Sequence, residues 1–173
     1  MYHFDIREES IQMTVEIFYF DDDGEIPNNP DLPVLIYRHV FDDPSSIEDT
    51  FHSHNWQNSW VDGIFDFHHY HSVAHEVIGI LEGHASIQLG GPLGKTFTLT
   101  AGDVVVLPAG TGHKALHTSR QFKVIGAYPN GQDYDTLTGD PCERPANLER
   151  IAQVERPQTD PVYGKQGPLF EHW

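Results

Sequence analysis

Residues 63–83 read "GIFDFHHYHSVAHEVIGILEG" and set His68, His69, His71, His75 and Glu76 between two glycines. Side chains alternate along an extended strand, so His69 and His71 share one face while His68 and Tyr70 share the other. Two imidazoles at i and i+2 can close on one ion. The short "SVAH" segment then resets the phase, and a new strand begins near Glu76. Periodicity alone leaves open whether His75 or Glu76 points with the pair. A further candidate lies in "AGDVVVLPAGTGHKALH", residues 101–117, where a strand ends in a proline and glycine turn and His113 opens the next strand. An antiparallel return there would set His113 beside the first pair.

From residue 64 onward the chain is a series of short strand-like runs separated by turn signals: "EVIGIL", "ASIQL", "KTFTLT", "DVVVLP", "KALHTS" and "FKVIGAY". Such spacing predicts an antiparallel sandwich or barrel. Upstream, residues 11–20 alternate as a strand with Ile11, Met13, Val15, Ile17 and Tyr19 on one face, and "PVLIYRHV" at 33–40 reads as a second strand. One short helix is expected from Ser46 to about Trp56, with Ile47 and Phe51 four apart and Ser46 paired with Asp49 as a cap. His52 and His54 fall inside it, where i and i+2 do not face each other. The turn "GGPLGK" at 90–95 lacks the first glycine of a phosphate loop, having Leu89 in its place, and reads as a hairpin. After Tyr128 the text is rich in proline, yet Tyr134, Tyr163, Phe170 and Trp173 punctuate it. An arm docked on the barrel or on a second subunit is expected, since a disordered tail carries few aromatics.

The chain has 173 residues, enough for one sizeable core: a single domain, with the barrel at about 33–128, an N-terminal strand region at 1–32 and the arm at 129–173. With 10 basic against 26 acidic residues the formal charge is -16, which disfavours nucleic acid and anionic lipid as partners. No apolar run approaches the roughly 18 residues of a membrane span. The acidic opening "MYHFDIREES" does not fit a secretory signal, and the lone Cys142 agrees with a reducing compartment, so a cytoplasmic location is expected.

Gly63, His69, His71, Glu76 and Gly83 satisfy every spacing of the first cupin motif, and Gly102, Pro108, Gly110 and His113 those of the second. The sequence therefore resembles the cupins. The blocks "FHHYHSVAHEVIG", "PAGTGHK", "GAYPNGQDYD" and "TDPVYGKQGPL" resemble the YjlB-like group of single-domain bacterial cupins. The resemblance implies an all-β fold, a small antiparallel cupin barrel (double-stranded β-helix or jelly roll) with one short helix and a C-terminal arm, commonly in a homodimer. It also selects Glu76 over His75, which makes His69, His71, Glu76 and His113 the implied metal ligands. The chain departs from the second motif at its last position, where His117 replaces an asparagine.

Three imidazoles and a carboxylate suit one divalent ion per chain, iron, manganese, nickel or zinc, with two positions of an octahedral shell left open. His75 and His117 are candidates for orienting a ligand or passing a proton. His68 is read as a packing or surface residue, and Phe65, Phe67, Trp56 and Trp60 as core or pocket wall. The expected function is a mononuclear metal-dependent enzyme, of dioxygenase, isomerase or lyase type, acting on a small oxygen-bearing molecule. The alternative is a non-catalytic cupin that binds a sugar or another small molecule.

Overall fold

The computed structural model describes residues 14–173. Among the described residues nine strands form two antiparallel sheets: β1 (Glu16–Phe18), β2 (Val34–Tyr37), β3 (Trp56–Asp62), β4 (Glu76–Glu82), β5 (His84–Leu89), β6 (Lys95–Thr100), β7 (Val104–Leu107), β8 (His113–Thr118) and β9 (Lys123–Pro129). One sheet has the order β1-β2-β7-β4-β9-β3 and the other β6-β5-β8. The fold is all-β and antiparallel, with few short helices.

The inner strands β2 and β7 of the larger sheet are buried on both faces, which explains why "VLIY" and "VVVL" are continuous apolar runs rather than alternating ones. Val34, Ile36, Ile78, Val105 and Val124 face inward and meet Ile87, Phe97 and Leu99 of the smaller sheet. Leu35, Tyr37, Val77, Val106 and Ile125 face outward and are covered by helix α1 (Ile47–Ser53), through Ile47 and Phe51, and by Leu169 of the arm. Gly79 lets α1 approach β4 closely, because a Cβ there would lie 2.6 Å from Ile47 Cγ2.

Several expectations are corrected. α1 ends at Ser53 rather than near Trp56, and Ser46 makes no side-chain cap, its hydroxyl donating instead to the Asp43 carbonyl. The single expected helix is joined by α2 (Ala146–Gln153) and α3 (Leu169–His172) in the arm. Strand β3 went unread because it does not alternate: Asn58 sits at φ 56° and the register with β9 shifts between Gln57 and Trp60. In β1 the face of Phe18 packs on the inner core while Ile17 and Tyr19 are exposed; Ile11 and Met13 lie outside the described residues. The arm docks on the barrel of its own chain, where Trp56 Nε1 donates to the Thr159 carbonyl and Trp173 Nε1 to that of Pro33. Among the described residues no helix is long and apolar enough to cross a membrane.

Candidate metal centre

The segment before β4 bridges two elements. His69 exchanges backbone hydrogen bonds with His113, the His71 carbonyl accepts from the Gly110 amide, and Tyr70 pairs in the opposite direction with Leu137 of the arm. The alternation read from the sequence therefore holds over 69–71. His69 and His71 point inward, while the Tyr70 hydroxyl donates to Glu143 Oε1 and accepts from Asn147 Nδ2.

His69, His71 and His113 are buried, and each offers one ring nitrogen within 4.8 Å of the other two. Backbone carbonyls fix all three rings: Nδ1–H of His69 donates to Phe67, that of His71 to Asp135 at 2.5 Å, and that of His113 to Thr111. Each ring thus turns Nε2 toward the centre, the tautomer a metal ligand needs. Glu76, at the start of β4 and 1% exposed, lies beside them with Oε2 3.4 Å from His71 Nε2 and Oε1 3.4 Å from His113 Nε2. The Tyr128 hydroxyl donates to Oε2 at 2.5 Å and itself accepts from Trp60 Nε1 at 2.8 Å. Glu76 Oε1 is buried without a hydrogen-bond partner. An orphaned carboxylate oxygen costs free energy unless something cationic meets it, so the donor set fits a divalent cation.

The electrostatics agree. Burial and the facing His113 ring hold His69 neutral, its pKa taken down to about 3. Burial alone would push the Glu76 carboxyl up, but His71 and His113 outweigh it and keep the group well below the usual carboxylate range. For His71 burial also works against the charged form, yet the Glu76 carboxylate and the Asp135 carbonyl raise its pKa above the ordinary value. Burial and the Glu76 charge raise the Tyr128 phenol, which stays protonated as a donor.

His75 and His117 do not join this cluster. His75 sits on the outer face of the sheet, edge-on to Trp173. Its Nδ1 accepts from the Ala109 amide and its Nε2–H donates to the Glu155 carbonyl, so it ties a turn to the arm, and burial holds it neutral with a pKa of about 4. In β8 the register shifts between the pairs Ile87↔Ala115 and Ser86↔His117. The extra residue reverses the alternation and turns His117 out to solvent. His52 bonds Ser59 and His54 the Pro161 carbonyl, far from the cluster in role.

Above the histidines opens a cavity of about 350 Å³. Tyr128, Trp60, Tyr134 and Thr136, none of them singled out as site residues by motif spacing, help to line it. They come from β3, the end of β9 and the arm.

The cupin domain pattern matches residues 62–125. Over 163 residues, 94% of this chain and 99% of its own, the uncharacterized protein YjlB of Bacillus subtilis strain 168 is 44% identical. The chain belongs to the YjlB-like cupins. Among solved structures, acireductone dioxygenase from Bacillus anthracis, with a cadmium ion in its active centre, is 18% identical over 70% of this chain and 82% of its own, with a TM-score of 0.39. A double-stranded β-helix protein from Klebsiella pneumoniae is 14% identical over 78% and 85%, also at 0.39. In this YjlB-like cupin three buried histidines can hold a metal ion, and they form the floor of the cavity.

Proposed function

We propose that the protein is a mononuclear metal-dependent enzyme in which His69, His71, His113 and Glu76 hold one divalent ion and a small oxygen-bearing substrate binds in the cavity above them. Three buried imidazoles, each held through Nδ1–H and each offering a ring nitrogen within 4.8 Å of the other two, carry this reading, with the unpartnered Glu76 Oε1 3.4 Å from His113 Nε2. When bound, such an ion polarises a ligand oxygen or exchanges electrons with it. The chain's own residues set the conditions. Tyr128 occupies Glu76 Oε2, which leaves Oε1 as the ligating atom. Trp60 fixes the Tyr128 hydroxyl, and the Asp135 carbonyl keeps the His71 ring in place.

Without an ion, His71 Nε2 holds a proton toward Glu76, and metal binding must displace it. The pKa of His71 is raised, so this competition sets in above the free histidine value of about 6.5 and strengthens as pH falls. Calorimetric titration in buffers of different ionisation enthalpy should show proton release near neutrality and an apparent affinity that drops with pH. An affinity constant from about pH 5 to 8 contradicts a three-histidine site.

Elemental analysis of untagged protein, purified without chelators, tests the reading as a whole. Near-stoichiometric iron or manganese, with dioxygen uptake that zinc exchange abolishes, supports redox catalysis. Turnover that survives zinc exchange supports Lewis-acid chemistry, and metal with ligand affinity but no turnover supports the non-catalytic binding cupin. Protein that takes up no metal overturns the proposal.

A further inference from the structure

The chemistry of the cavity narrows its ligand. Trp60, Ile64, Phe65, Ile78 and Tyr134 make an apolar wall around the histidine floor. The rings are held in place. Trp60 lies directly on Gly126, where a Cβ would stand 2.3 Å from the indole, and Nε1 is tied to Tyr128. Tyr134 stacks on Tyr128 with centroids 4.3 Å apart and meets His71 edge-on, and Phe65 meets His69 edge-on at 5.1 Å. Rigid aromatic walls favour a flat apolar body over a heavily hydroxylated one. Among the described residues no lysine or arginine lines the cavity, and the charged residue on its wall outside the floor is the acid Asp62.

Charge balance points the same way. Three neutral imidazoles, one carboxylate and a divalent ion leave one positive charge at the floor, which one ligand anion neutralises. A second anionic group would be desolvated against apolar walls without a partner.

We propose that the cavity selects a flat, apolar molecule that carries at most one negative charge, and that it excludes dicarboxylates and phosphate esters. The proposal rests on the metal reading above and goes beyond it in naming the ligand class.

Three hydroxamate probes, titrated into cobalt(II)-loaded protein and read by the visible spectrum of the ion, separate the two ideas. All three present the same oxygen pair, and their affinities are corrected for those toward free cobalt(II). Benzohydroxamate should bind about tenfold tighter than acetohydroxamate, as aromatic contacts require. 4-Carboxybenzohydroxamate should lose about tenfold or more relative to benzohydroxamate through its unpaired second charge. Phe65→Ala, at a half-exposed position where folding is not at stake, should narrow the gap between the first two probes. Equal binding of acetohydroxamate and benzohydroxamate, or undiminished binding of the carboxylated probe, overturns the ligand class while leaving the metal site standing. Protein that takes up no cobalt overturns the metal reading and this inference with it.

Discussion

His71→Ala is expected to lower metal affinity by at least about 100-fold, the upper range for losing even a partner outside the ligand shell. His68→Ala, at the neighbouring histidine but one, should leave it unchanged. The two side chains leave the same extended segment in opposite directions. His71 is buried, its Nδ1–H fixed by the Asp135 carbonyl and its Nε2 aimed at Glu76. His68 is half-buried among Asp23 and Lys114, and its Nδ1 is buried with no partner. Competition with a coloured chelator, followed by elemental analysis of both variants, checks the contrast. Equal losses would mean that the segment does not present alternate faces in solution.

That contrast was legible because local backbone geometry decides it: His69 and His71 sit two apart on an extended segment, and no distant contact is needed to put them on one face. His117 was a candidate through its place in the second motif, and the structure turns it to solvent because one extra residue in β8 reverses the phase, which nothing in "HKALHT" announces. Periodicity could not separate His75 from Glu76 either. The structure separates them through partners far away in sequence: β4 pairs Glu76 with Leu107, while the Ala109 amide and the Glu155 carbonyl hold His75 on the outer face. Tyr128 and Tyr134 were hidden for the same reason, and Trp60 was legible only as core or pocket wall, without its bond to Tyr128. Their role depends on a strand broken by a positive φ at Asn58, on the close approach of Trp60 to Gly126 and on the path of the arm, all set by tertiary contacts. In α2, "ANLERIAQ", the buried Asn147 and Ile151 stand four apart as a helix face requires. The prolines around it masked that signal.

The arm also supplies the second large expected effect, which falls on stability. Asp160 is fully buried and acts as the hub of the docked arm. Its Oδ1 accepts from the amides of Val162 and Tyr163, and its Oδ2 from the Leu169 amide and, at 2.6 Å, from the Tyr37 hydroxyl on the outer face of β2. Burial and this carboxylate keep the Tyr37 phenol protonated by raising its pKa, so it remains a donor throughout the accessible pH range. Asp160→Ala strips the acceptor from four donors at once. Each buried donor left unmet costs roughly 1–3 kcal/mol, and water reaching the opened site recovers part of this, so a loss of about 3–5 kcal/mol is expected. Asp160→Asn keeps the shape and one acceptor oxygen and should fall between alanine and wild type. Urea unfolding measures the loss, and trypsin cleavage after Lys165 should accelerate as the arm lifts. The metal site should respond far less, because the segment bracing His71 is tied separately through the Tyr70 and Leu137 pairing and the Ser72 contacts to Asp135. A change under about 1 kcal/mol would show that the arm is held by its apolar contacts, Leu169 and Trp173 foremost, rather than by this carboxylate.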